Sequence, residues 1–100
     1  MSVEARDGAW QSPQGDSLGK SRDHEGKATI GVRPENITTD GGTVPAIVRV
    51  VEDTGASRIL LADWAGQAIH ILLNREDTHQ PGDTIYPLLD PDRILVWPVQ

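Results

Sequence analysis

The sequence contains no cysteine and no phenylalanine, and only one methionine and one tyrosine, among 100 residues. Without cysteine there is no disulfide framework to staple a small secreted fold and no thiolate for catalysis or metal binding. Cationic side chains are scarce: nine Lys and Arg face fifteen Asp and Glu, for a formal net charge of -6. Phosphate binding is driven mainly by Lys and Arg, so this balance disfavours nucleic acid and an anionic membrane surface as partners. No apolar run approaches the ~20 residues a membrane-spanning helix needs, and the N-terminus lacks the apolar core of a signal peptide. The expectation is a cytoplasmic protein without direct membrane insertion. One hundred residues allow one domain with a modest core.

Apolar residues are also thin over the first 27 positions, where Val3 and Leu18 stand beside a lone Trp10. Such a segment has little to bury against the ~1–2 kcal/mol per residue that backbone ordering costs, so residues 1–27 read as a disordered tail. Within it, "PQGDSLGKS" ends in Gly19-Lys20-Ser21, the ending of a nucleotide-phosphate loop. That loop needs a glycine five positions before its second glycine, so that successive amides wrap the phosphates, and a strand before it and a helix after it. Gln14 holds the place of the first glycine, and Gly15 comes one residue too late. The nucleotide reading fails on spacing and on context.

From Ala28 onward the pattern has a period of two. "TIGVR" (29–33), "TVPAIVRVVED" (43–53), "SRILLADW" (57–64), "QAIHILL" (67–73), "TIYPLL" (84–89) and "RILVWP" (93–98) read as strands. Ala65-Gly66 reads as a hairpin turn, and "DGG", "PGD" and "DPD" as further turns. Pro45 lacks an N–H donor, which suggests that the second strand begins at a sheet edge. Residues 75–80 suggest one helical turn. Five or six short strands at this spacing predict an all-β fold, a small OB-like barrel or sandwich over residues 28–100.

Catalytic constellations are not apparent. His24, His70 and His79 lie in the tail, on a strand and in a turn, without the spacing of a zinc site. The paired carboxylates Glu52–Asp53, Glu76–Asp77 and Asp90–Asp92 sit at strand ends and turns, where Asp solvates easily. Adjacent carboxylates on a strand point to opposite faces, which does not suit a general acid/base pair. Trp64 and Trp97 at strand ends suit core or interface anchoring better than ligand stacking. Neither a metal nor a cofactor is implied.

The run "IGVRPENI" (Ile30–Ile37) resembles the Gly-[Ile/Val]-Arg-Pro-Glu-[His/Asn]-[Ile/Leu] segment that opens the transport-associated OB domain, or TOBE domain, of ABC importer ATPases of the maltose, glycerol-phosphate and spermidine type. "AIVRVVEDTGAS" is similar to the family's Ala-x-Val-x-x-Val-Glu-x-x-Gly strand, and "PGDTIYPLLDPDRILVW" to its Pro-Gly-Asp ending. The resemblance runs from Lys27 to about Pro98, although Trp97-Pro98 replaces the family's terminal Phe-Asp. It implies an OB-like barrel that takes part in ATPase dimerisation and regulation. The matching positions Arg33, Pro34, Glu35, Glu52, Gly55, Gly82 and Asp83 become motif and interface candidates. Arg33 and Glu35 suit either a structural ion pair or a contact with an ATPase domain.

With no nucleotide-binding motifs in these 100 residues, the chain is expected to be a detached, non-enzymatic C-terminal domain whose partner is an ABC ATPase subunit or a second copy of itself. A stand-alone binder of small ligands or oxyanions is the alternative, but residues 28–100 carry five arginines and no lysine against ten carboxylates. An OB-fold nucleic-acid binder would need aromatic platforms in a basic groove. Calorimetric titration with Mg-ATP is expected to show no binding. A dissociation constant below about 100 μM, roughly −5.5 kcal/mol, would overturn this reading.

Overall fold

A computed structural model describes residues 1–74 and 76–98 of the chain. Its first sheet starts at the N-terminus. Strand β1 (Ser2–Arg6) turns through Asp7-Gly8 into β2 (Ala9–Gln11), and β3 (Ser17–Lys20) follows. Asp7 and Gly8 have φ of 55° and 79°, the left-handed pair that a two-residue hairpin turn requires. Beyond β2 the Ser12 hydroxyl accepts the N–H groups of Gln14 and Asp16 at 3.2 and 3.1 Å and closes the next turn. β4 (Gly26–Val32) then pairs antiparallel with β1, and β11 (Ile94–Pro98) pairs with β4. The order is β11-β4-β1-β2-β3.

Two similar turns carry the chain out of this sheet and back. After β4, Arg33-Pro34-Glu35-Asn36 forms a 3₁₀ turn into β5 (Ile37–Thr38). After β10 (Leu88–Leu89), Asp90-Pro91-Asp92-Arg93 forms another into β11. In each, proline occupies the first helical position, where its missing N–H costs nothing. Asp90 caps the second turn by accepting the Asp92 N–H at 3.0 Å. β5 and β10 pair with each other, and the Asp90 amide donates to the Asn36 carbonyl at 3.1 Å, so the two crossings lie side by side.

The third sheet has the order β8-β7-β6-β9, from β6 (Ala46–Asp53), β7 (Arg58–Trp64), β8 (Gln67–Leu73) and β9 (Thr84–Ile85). Trp64 pairs with Gln67 across Ala65-Gly66, the expected hairpin turn. β6 is an interior strand and not an edge: it starts one residue after Pro45, so the proline lies outside the ladder. The run 84–89 forms two strands and not one, because Pro87 cannot donate to a ladder and the Tyr86 amide turns away to the Thr39 carbonyl at 3.1 Å. Of the helical turn expected at 75–80, Arg75 lies outside the described residues. Residues 76–80 are not helical, and the Asp77 amide closes a turn on the Asn74 carbonyl at 3.1 Å.

These curled sheets enclose one apolar interior, the small OB-like β-barrel that the sequence predicts. Ile30, Val48, Leu60, Trp64, Ile71 and Leu89 fill its centre. The structure corrects the reading of residues 1–27 as a disordered tail. Val3, Ala5, Trp10 and Leu18 all face the same interior, with Trp10 only 1% exposed. Few apolar residues suffice here because they alternate with polar ones on three short paired strands, each placed on the inward face. Deleting residues 1–20 is therefore expected to abolish cooperative urea unfolding, and Trp10→Ala to cost about 3–5 kcal/mol. A truncated chain that keeps the full-length urea midpoint would contradict this placement.

Candidate functional site

The residues singled out by their motifs fall in three places. Arg33, Pro34 and Glu35 form the first crossing turn, where Arg33 and Glu35 are exposed. Among the described residues neither takes part in an ion pair; the pairs seen are Arg6–Glu4, Arg22–Asp92 and Arg49–Asp63. All three pairs are solvated and contribute little stability. Beside this turn, Asp92 of the second crossing binds Arg22 at 2.6 Å. Both proline turns therefore present charged side chains on one end of the barrel.

Glu52 and Gly55 lie at the far end of the β6–β7 hairpin. Glu52 is exposed and pairs with Ile59. Gly55 has φ of 85°, and its amide donates to the Asp53 carboxylate at 2.8 Å, a tight polar turn. Gly82 and Asp83 form the third place. Pro81 and Gly82 (φ 94°) occupy the centre of a turn closed by the Asp83 amide on the Gln80 carbonyl at 3.1 Å. This is the arrangement that favours proline followed by glycine. The Asp83 carboxylate accepts the Gln80 amide at 2.8 Å.

That turn also holds the irregular point of β6. Val48 donates to the Asp83 carbonyl at 2.9 Å and accepts the Gly82 amide at 2.8 Å. Immediately beyond, the β6–β7 register slips between Val48 and Val50, leaving Arg49 as the extra residue. A bulge of this kind shifts which side chains face inward. Before it, Ala46 and Val48 point into the core; after it, Val51 does so and Val50 points out.

The outer face of this sheet is apolar, with Val50 as the valine the bulge turns outward. Across the sheet, Val50 stands beside Leu61 and His70, and Ile59 stands between Glu52 and Leu72. Val50 is 41% and Leu72 39% exposed, with Ile47 close behind and Ile59 and Leu61 half-buried. The sequence reveals Leu72 and Ile59 as apolar residues opposite the inward set, but not Val50, because strict alternation places it inside. Leu95 and Trp97 on edge strand β11 add a second exposed pair, with the Trp97 ring lying over Gly31. A side chain at Gly31 would stand 3.1 Å from that ring, which explains the glycine.

Among the described residues no group of histidines and carboxylates is arranged to hold a metal. Gly19-Lys20-Ser21 ends strand β3 and enters a turn, so its glycine and lysine belong to a sheet ladder. No helix among the described residues is long and apolar enough to cross a membrane.

Comparison with known proteins adds an independent finding. The family model described as the TOBE domain matches residues 30–97. The sn-glycerol-3-phosphate import ATP-binding protein UgpC 2 of Agrobacterium fabrum is 40% identical over 60 residues, covering 58% of this chain and 16% of that protein. The sn-glycerol-3-phosphate import ATP-binding protein UgpC of Yersinia pestis is 34% identical over 67 residues, 65% of this chain and 19% of the relative. The chain thus matches less than a fifth of the length of these relatives.

Because the Gly82 turn anchors the bulge, Gly82→Ala is expected to cost about 1–2 kcal/mol through its left-handed backbone. Gly8→Ala would strain the N-terminal hairpin similarly but leave the β6 bulge untouched. Amide exchange at Val48 separates the two: it should accelerate beyond the global change only in the Gly82 variant.

Proposed function

Since the chain belongs to the TOBE-domain family, which ABC importer ATP-binding proteins carry, we propose that it serves as a non-catalytic assembly and regulatory domain for such an ATP-binding subunit. The solute moved by the assembly would be a sugar or a related small molecule; the relatives' names point to glycerol phosphate. The domain would then work at the cytoplasmic face of the membrane through its partner. The observation that carries this reading is the outward apolar face of β6, β7 and β8. A barrel has one interior, which Ile69, Ile71 and Leu73 already fill from β8. Leu72, Val50 and Ile47 on the opposite side gain nothing from the core and form a surface that a partner's apolar side chains can cover.

Chemistry fits the same role. Charge near the proline turns is solvated and mixed in sign, as at the rim of a protein contact. Arg33 and Glu35 would make their contacts there with the ATPase, not with each other. Self-association through the same face is the second form of this reading.

Sedimentation equilibrium of the chain, alone and with an importer ATP-binding subunit truncated before its own TOBE domain, tests the proposal. Association in the micromolar range is expected, and Val50→Glu with Leu72→Glu should weaken it at least tenfold while leaving the thermal midpoint nearly unchanged. A chain that stays monomeric and ignores the ATPase at tens of micromolar would refute it.

A further inference from the structure

A groove of about 400 Å³ opens between β3, the 41–43 loop and the Pro87–Pro91 stretch, with no residue of β6, β7 or β8 in its lining. Small-molecule sites commonly occupy ~300–1,000 Å³ and combine an apolar lining with a few placed polar groups. This groove has that make-up. Leu18 and Leu89, each 2% exposed, belong to the core beneath it, while Leu88 is 41% exposed beside it. Glycine keeps the walls low: at Gly19 an added Cβ would reach to 4.0 Å from Leu89 Cβ, and at Gly41 to 3.1 Å from Leu88 Cδ2.

Several donors in the lining have no protein partner, while the Gly42 amide is taken by the Tyr86 carbonyl at 3.0 Å. Lys20 is the sole charged residue in the lining, and among the described residues its ammonium joins no ion pair. The hydroxyls of Ser17 and Thr43 and the amides of Gly41 and Thr43 make no hydrogen bond among the described residues. No carboxylate lines the groove, although the chain as a whole carries a net charge of -6. One unmatched cation above an apolar lining complements one negative charge on an apolar body. A second negative charge would lie over apolar surface without a counter-ion, which is unfavourable.

We propose that this groove binds a small organic monoanion, with its carboxylate or sulfonate at Lys20 and the 41–43 loop and its apolar body along Leu88 and Pro87. The site uses none of the outer-face residues assigned to partner association and needs no ATPase, so the two readings stand or fall separately.

Fluorescence titration of the full chain with 8-anilinonaphthalene-1-sulfonate, an apolar body bearing one sulfonate, tests the site. Saturable binding is expected, with hexanoate displacing the probe at a concentration at least fivefold lower than hexan-1-ol. Inorganic phosphate, without an apolar body, should displace it weakly. Lys20→Gln should remove the preference for hexanoate over hexan-1-ol. Leu88→Asp, at an exposed position, should abolish displacement by hexanoate. Near-UV circular dichroism of the buried Trp10 and Trp64 checks that each variant is folded. Displacement should persist in Leu72→Glu, which alters only the outer face. Absence of saturable binding, equal displacement by hexanoate and hexan-1-ol, or an unchanged preference in Lys20→Gln would overturn the proposal, as would loss of binding in Leu72→Glu.

Discussion

One apolar interior has to be closed by three narrow sheets, and the rest of the structure depends on that closure. The middle sheet, β5 with β10, has two strands of two residues each and could not persist alone. Its buried residues, Ile37 and Leu89, are held because the flanking sheets bring Trp10, Leu18, Ile30 and Ile71 into the same cluster. In so small a barrel no wall is dispensable. This is why the N-terminal meander, poor in apolar residues, is nevertheless ordered. Its Trp10 and Leu18 belong to the same buried cluster as Leu89.

Closure also determines where proline and glycine fall. Each passage between sheets must break a ladder without leaving buried amides unpaired. The two X-Pro turns do this by placing a residue with no N–H at the break, and the Asp90 amide then pairs with Asn36 of the opposite turn. Gly42 belongs to the same logic: its amide pairs with the Tyr86 carbonyl at 3.0 Å, and a Cβ there would meet the Pro87 carbonyl oxygen at 2.0 Å. Backbones pack so closely at this point that a side chain has no place. The adjoining groove keeps its volume because glycines line it.

The bulge at Arg49 links fold to surface. Strict alternation along β6 would bury Val50 and the charged Glu52 and turn Val51 outward. The extra residue, held by the Gly82–Asp83 turn, sends Val50 out and Val51 in. The exchange keeps a valine on each face and leaves Glu52 exposed to solvent. The motif residues Gly82 and Asp83 thus hold their turn against the bulged strand through two backbone hydrogen bonds to Val48.

The sequence by itself determined most of the long strands between residues 28 and 98, the Ala65-Gly66 hairpin, the barrel class and the family resemblance. Those signals are local: period-two alternation, turn residues and a short Arg-Pro-Glu motif. Tertiary structure decided the rest. Whether Val3, Trp10 and Leu18 suffice to order a segment depends on what they pack against, and composition over 27 residues cannot express that. The direction of Val50 depends on a bulge fixed by a turn more than 30 residues away in the chain. The split of 84–89 at Pro87 depends on which carbonyl Tyr86 can reach. Lys20, part of a phosphate-loop ending in the sequence, gains its unpaired place over an apolar groove only when β3 comes beside β10. In each case the deciding energy lies in contacts between segments distant in sequence, which a local pattern does not carry.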